Sequence, residues 1–198
     1  MNSFVQSPER IEDDLQLLEA MVEEIPQYLK FEGLYYPLAQ TNSLRLTLGV
    51  YLMYQHRLVS VAKSMDKELA ERLTDAIIKY QEAISDHLVR VEQHLNQELN
   101  TRLKQWRTYL TEVTENPNEY LPYYATHVAD RAIMKHIFDF MQPPYQPDQQ
   151  VEQQLRLLDS ELQDGWENGY FVWPEVWQPA YPETTYWWLY GRPTLQNN

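Results

Sequence analysis

The run from Val50 to Asn116 contains neither glycine nor proline, and this lack of helix breakers limits the fold more than any other feature. Within the run, apolar side chains recur at thirteen positions from Leu69 to Val113, whose twelve steps cover 44 residues, a mean of 3.67 residues per step. That spacing is typical of an α-helix that follows a nearly straight path. The pattern therefore predicts helix throughout this stretch.

The length of this stretch conflicts with a compact shape. One helix over residues 66–115 would be about 75 Å long, whereas a compact domain of this size is about 42 Å across. Either the helix breaks, or the molecule is elongated, or the excess length packs on a partner. We expect a break near Asn96 to Thr101, because Asn96, Asn100 and Thr101 are poor helix formers and Asn100 can cap a new helix.

Four shorter helices are predicted around this stretch. The first begins at Ser7 and Pro8 and ends or restarts at Pro26, and a connection over residues 27–41 follows it. The second is capped by Asn42 or Ser43 and runs to about Met65, although the alternating apolar residues 44–50 also fit a strand. The other two cover about 122–141, after a capping signature at 116–119, and about 148–164, where a glycine stops the helix.

The last 34 residues differ from the rest of the chain. Residues 165–198 hold ten of the 26 aromatic residues and four prolines, which excludes a long helix. We expect an extended segment with a short strand at 170–173. The predicted fold is all-α: a bundle of about five helices over residues 1–165, with a long or broken central helix, clasped by residues 166–198, which form no independent domain.

Composition disfavours several kinds of partner. With 16 basic and 29 acidic residues the net charge is −13, and such a surface repels nucleic acids and anionic membranes. The most apolar segment, residues 44–54, is far shorter than the roughly 20 residues of a membrane helix. The chain has no cysteine, and its N-terminus does not resemble a signal peptide, so we expect an acidic cytoplasmic protein that binds neither nucleic acid nor membrane.

Motifs for chemistry are missing. The five glycines form no phosphate-binding loop, no serine lies in a glycine-flanked turn, and no histidine has a glutamate three residues before it. We therefore expect no metal and no cofactor. Residues that can still form a ligand pocket are histidines and tyrosines on predicted helices: Tyr51, Tyr54, His56, His87, His94 and His136.

Two readings of these residues remain open. His87 and His94, seven residues apart, share a helix face, and either His136 or His127 from a neighbouring helix can complete a three-ligand site. His56 and the two tyrosines lie on the apolar second helix, where a polar group needs a partner. In the alternative reading, which we favour, all of these groups satisfy one another or nearby backbone and bind nothing.

The aromatic tail offers the other candidate residues. Tryptophan and tyrosine are preferred anchors at protein interfaces, and the candidates here are Trp173, Trp177, Trp187, Trp188 and Tyr190. They can also be buried on the bundle, since five exposed tryptophans would form a large apolar patch. We expect a non-enzymatic helical protein that acts through protein–protein contacts and self-associates. The alternatives are a small-molecule- or metal-binding helical enzyme with a histidine-lined core, and a regulator whose tail closes over a hydrophobic pocket.

Overall fold

A computed structural model describes residues 8–39 and 44–194, and 73% of these residues are helical. This confirms a mostly helical protein. Ser7, Asn42 and Ser43, which were expected to cap helices, lie outside the described residues. The seven α-helices of the described part are α1 (Pro8–Tyr28), α2 (Leu48–Val61), α3 (Lys67–Ser85), α4 (Leu88–Glu115), α5 (Pro117–Tyr120), α6 (Tyr124–Phe140) and α7 (Gln149–Asp164).

Two small antiparallel sheets accompany the helices. Strand β1 (Tyr36–Pro37) pairs with β2 (Arg45–Leu46), and β3 (Trp166–Phe171) pairs with β4 (Tyr190–Pro193). Short 3₁₀ helices cover 62–64, 121–123, 175–180 and 187–189. The strand expected at 170–173 thus begins earlier, at Trp166, because its partner strand lies beside residues 166–171.

The expected break near Asn96 to Thr101 is wrong. The long stretch divides instead at Asp86 and His87, between α3 and α4, where Ser85, Asp86 and His87 are consecutive poor helix formers. Asn96 lies inside α4 and uses its side chain to bond the Gln146 carbonyl and the Asp148 amide at the entry to α7. Because the Asn96 side chain bonds these groups and does not compete for the backbone of α4, the helix continues through this residue.

The second helix also begins later than expected. Thr47 caps α2 by accepting a hydrogen bond from the Val50 amide at 3.1 Å. The preceding residues form β2, so the alternation that we assigned to a helix belongs in part to a strand. At its other end α2 stops at Val61, and a 3₁₀ turn replaces the last helical residues before Met65.

The remaining predicted helices are close to their expected positions. Helix α1 passes through Pro26 and ends at Tyr28. Helix α6 begins at Tyr124, after a one-turn helix and a 3₁₀ turn. Helix α7 is capped by Asp148 and ends at Asp164, directly before Gly165, as the sequence indicated.

Helix α2 lies against α1, α4, α6 and the 3₁₀ helix 175–180, and a buried carboxylate holds its N-terminus. Glu98 of α4 is fully buried and accepts hydrogen bonds from the Thr47 hydroxyl at 2.5 Å and the Gly49 amide at 2.8 Å. Arg102 pairs with Glu98 at 2.7 Å and with Asp130 of α6 at 2.5 Å. Burial disfavours the charge on Arg102, but the two carboxylates outweigh burial and raise its pKa.

Gly49 makes this approach possible. A Cβ at position 49 would lie 2.6 Å from the Glu98 Oε1 atom and 2.5 Å from a methyl group of Ile133. Both are below van der Waals distance, so a larger residue would push α4 and α6 away from α2. The glycine therefore fixes the spacing of three helices.

The C-terminal segment packs on α2 and α6. The Tyr124 hydroxyl donates to the Trp188 carbonyl at 2.7 Å, and the Trp173 indole donates to the Ala125 carbonyl at 2.7 Å. Arg131 of α6 lies 3.7 Å from the centre of the Trp188 ring and pairs with Asp159 of α7. One cation thus connects α6, α7 and the C-terminal segment.

None of the helices over residues 8–39 and 44–194 combines the length and apolar character needed to span a bilayer.

We expect Glu98→Ala to lower the free energy of unfolding by about 3–5 kcal/mol, because Arg102 would stay buried with one carboxylate instead of two and the Gly49 amide would lose its acceptor. Urea unfolding followed by circular dichroism measures this loss. Glu115→Ala, at an exposed position of the same helix, should change stability by less than about 0.5 kcal/mol. Equal losses in both variants would contradict the role of Glu98.

Candidate functional site

His56 and His136 form a pair between α2, α6 and the C-terminal segment. Their ring centres are 4.4 Å apart, and the rings of Tyr181 and Tyr186 lie within 6.0 Å of both. The His56 Nε2 atom bonds the Ala180 carbonyl at 2.6 Å, so this nitrogen carries the hydrogen. The Nε2 atom of His136 is buried and has no hydrogen-bond partner among the described residues.

The surroundings keep both imidazoles neutral. Burial, together with the nearby His56, Arg57 and Lys135, lowers the pKa of His136 to about 2. Burial also lowers the pKa of His56, although the Ala180 carbonyl and Asp139 oppose this. Two neutral imidazole rings can pack closely beside Arg57 and Lys135, whereas a protonated ring would be repelled by these two cations.

The other pocket candidates lie elsewhere. His94 is buried against Tyr28, with ring centres 4.5 Å apart, and His87 is exposed at the start of α4. Tyr51 stacks on Tyr80 at 3.8 Å. The structure therefore brings together two of the four candidate histidines, and the expected face shared by His87 and His94 does not form, because the helix break falls at His87.

Tyr54 takes part in a different arrangement, around Arg57. The Arg57 guanidinium lies 4.6 Å from the Trp173 ring centre and 5.9 Å from those of Tyr54 and Trp177, and it donates to the Tyr181 hydroxyl at 3.0 Å. These contacts join α2 to the C-terminal segment.

The aromatic candidates of the tail are all in contact with the body of the chain. Trp177, Trp188 and Tyr190 are buried, whereas Trp173 and Trp187 are half-buried. The large aromatic residue that the segment exposes to solvent is Tyr170, which is not among these five candidates.

Within the described ranges, no group of three or more histidine and carboxylate side chains has an arrangement that could hold a metal ion. The expectation of no metal remains a prediction.

A groove of about 780 Å³ lies between the C-terminal halves of α4 and α7. Its apolar lining combines buried Val113, Leu158 and Leu162 with half-buried Leu110. Leu157 is off the buried stripe of α7 and is 62% exposed beside the groove. We call this feature the α4–α7 groove, and its size is in the range of ligand and anchor sites.

The ends of the groove come from neighbouring segments. Pro117 of α5 lines one part, and Gly165, Pro193 and Thr194, at the base of the β3–β4 sheet, line another. The Thr194 amide donates to the Gly165 carbonyl at 2.7 Å, which fixes the base of the sheet to the end of α7.

The groove favours positive charge and hydrogen-bond donors. Both α4 and α7 end beside it, and neither has a basic residue in its last turn to offset the negative end of the helix dipole. Glu161 and Asp164 add two carboxylates, while Arg107 supplies one cation and bonds Gln154 at 2.7 Å. The site is apolar within and mostly acidic at its edge.

Tyr170 is the most exposed large aromatic side chain of the described residues, at 96%. It lies in β3 where the pairing with β4 shifts register, between the pairs Asn168–Gly191 and Phe171–Tyr190. Such an irregularity turns a side chain away from the sheet. No sequence pattern distinguishes Tyr170 from the other nine aromatic residues of the C-terminal segment, all of which are buried or half-buried.

No family model matches this chain, and no curated protein or solved structure matches it significantly.

The histidine pair predicts an acid-sensitive fold. The folded-state pKa of His136 lies below its unfolded value of about 6.5, so the unfolded state binds the proton more readily and stability falls as pH drops below about 6.5. We expect a loss of about 1.4 kcal/mol per pH unit between pH 6 and 5 from this group. His136→Phe should reduce the slope of unfolding free energy against pH by that amount, measured by urea titration.

His87→Gln is the control for this experiment, since His87 is exposed and should leave the slope unchanged. An unaltered slope in His136→Phe would show that the His136 ring accepts a proton in the folded state.

Proposed function

We propose that this chain is a non-enzymatic helical protein that acts through protein–protein contacts and associates with a second copy of itself through the α4–α7 groove. The observation that carries the proposal is this groove, an apolar surface between two helices with an exposed leucine beside it. Soluble proteins avoid leaving such surfaces uncovered unless they bind something. An apolar centre within a polar rim is the usual composition of an interface.

Several features support a protein as the occupant. The acidic edge and the net charge of −13 disfavour nucleic acid. The groove lacks the convergent histidines of a catalytic site, since His56 and His136 lie on other elements. We also propose that the protein works in the cytoplasm, because a chain without cysteine gains nothing from an oxidising compartment.

The lengths of α3 and α4 do not require a partner chain. An unbroken helix over 66–115 would have needed a partner, but the helix divides at Asp86 and His87, and the stripe Leu99, Leu103, Trp106 and Val113 is buried within one chain. The proposal therefore depends on the groove and on the surface that complements it.

The alternative, a small-molecule- or metal-binding enzyme with a histidine-lined core, draws on one observation. The unpartnered Nε2 atom of His136 could accept a hydrogen bond from a small ligand. However, the pair is packed among tyrosines and held to Ala180, so a ligand would have to displace part of the C-terminal segment.

We expect the wild-type chain to form a dimer whose population rises with concentration, and Leu157→Glu to weaken it. The introduced glutamate weakens binding in two ways, because its charge would be buried in an apolar interface and would be repelled by Glu161. Analytical ultracentrifugation over a range of concentrations measures the dissociation constant. Val89→Glu is the matched control, because Val89 is 73% exposed and lies far along α4 from the groove.

A wild-type chain that stays monomeric at all concentrations would contradict self-association. A dimer that Leu157→Glu and Val89→Glu leave equally intact would place the interface elsewhere.

The proposal includes a structural role for the C-terminal segment. We propose that residues 166–198 act as a clasp on a bundle formed by residues 1–165 and are no independent domain. Trp177, Tyr181 and Trp188 are each at most 3% exposed, and each fully buried aromatic side chain contributes a few kcal/mol.

Deletion of residues 166–198 should therefore unfold the chain or make it aggregate, since a domain has only about 5–15 kcal/mol of net stability. Thermal unfolding followed by circular dichroism, with light scattering, tests this. A truncated chain that is soluble, helical and as heat-resistant as the full chain would show that the segment is no clasp.

A further inference from the structure

Resting on the proposed function, we infer that the occupant of the α4–α7 groove is Tyr170 of a second copy, exchanged reciprocally about a twofold axis. Each chain would insert its Tyr170 into its partner's groove and receive the partner's Tyr170 in its own. The chain carries both halves of this contact, a protruding aromatic side chain and an apolar groove. Self-complementary surfaces of this kind are what a twofold interface requires.

Tyr170 has the properties of an interface anchor. A side chain that is 96% exposed has no packing role in its own chain, yet tyrosine is among the residues that most often dominate binding free energy. Its position is fixed because Asn168 and Phe171 on either side are paired to β4. An anchor on a fixed framework loses little conformational entropy when it binds.

The chemistry of the groove matches a tyrosine. Leu110, Leu158 and Pro193 offer apolar surface for the ring. Glu161 and Asp164 offer carboxylate oxygens that can accept a hydrogen bond from the tyrosine hydroxyl, and the C-terminal ends of two helix dipoles also favour a donor here.

The charges on the β3–β4 sheet and in the α4–α7 groove allow these two surfaces of an acidic chain to meet. The sheet that carries Tyr170 presents Glu167 and Arg192 as an exposed ion pair, with Nε and Oε2 atoms 2.8 Å apart. The groove presents Arg107 together with Glu161 and Asp164. Each face thus has both signs of charge, so the contact avoids the repulsion that a net charge of −13 imposes elsewhere.

The geometry permits a reciprocal exchange. Gly165 lines the groove and immediately precedes β3, so Tyr170 lies roughly 16 Å further along the strand at 3.3 Å per residue. This separation keeps Tyr170 from filling its own groove, as its exposure confirms. Two chains related by a twofold axis can place their β3 strands in opposite directions, which brings each tyrosine towards the other chain's groove.

The test uses two full-length variants that disable opposite halves of the contact. Tyr170→Ser removes the anchor, and Leu157→Glu blocks the groove. Sedimentation should show the dissociation constant of each variant raised about 30-fold or more, the usual effect of losing an interface anchor. Tyr123→Ser is the matched control, because Tyr123 is 58% exposed and does not line the groove.

Mixing the two variants gives the decisive result. A heterodimer retains one complete contact, between Tyr170 of the Leu157→Glu chain and the open groove of the Tyr170→Ser chain. At a concentration where each variant alone is monomeric, the equimolar mixture should form heterodimers, which a mass tag on one chain identifies. A mixture that stays monomeric would overturn the reciprocal exchange.

Other outcomes separate this inference from the proposed function. If Tyr170→Ser dimerises as wild type does while Leu157→Glu does not, the groove mediates self-association and Tyr170 is not its occupant. If wild type forms no dimer, both proposals are wrong. Wild-type oligomers that grow beyond two chains would overturn the twofold arrangement, since a head-to-tail contact extends without closing.

Discussion

The buried carboxylate of Glu98 at the N-terminus of α2 is the interaction on which the rest of the structure depends. It binds the Gly49 amide, the Thr47 hydroxyl and Arg102 at a fully buried position. Removing Glu98 would leave several buried polar groups without a hydrogen-bond partner, and each such group destabilises the folded state. Because α2 contacts α1, α4, α6 and the C-terminal segment, its position determines theirs.

The sequence predicts features that depend on local spacing and fails where a distant contact decides. The helical stripes of α1, α4 and α7, and the stop at Gly165, follow from periodicity and capping within one segment. The break was misplaced because Asn96 weakens a helix in isolation, yet here it bonds residues fifty positions away. The start of α2 was misplaced because residues 45–46 pair with strand β1, which lies earlier in the chain, and therefore form a strand and not the first turn of a helix.

The candidate sites were less predictable for the same reason. His56 and His136 meet only after α2 and α6 pack together, and a search for ligands at fixed spacing within one helix cannot find such a pair. The α4–α7 groove is lined by residues from two predicted stripes, and it exists only once α4 and α7 lie side by side. Tyr170 differs from nine neighbouring aromatic residues in exposure alone, and exposure is a property of the folded chain.

The clasp and the docking surface that we propose both depend on the C-terminal segment. Gly191 has a φ of +145°, and a Cβ there would collide with the Glu167 carbonyl, so only glycine lets β4 cross this close to β3. The Thr194 amide then joins the sheet to Gly165 at the end of α7. The contacts that hold the segment on the helices therefore also fix Tyr170 relative to the groove. In the proposed dimer, Tyr170 would thus be ordered before the two chains associate, which would leave more of the contact free energy available for binding.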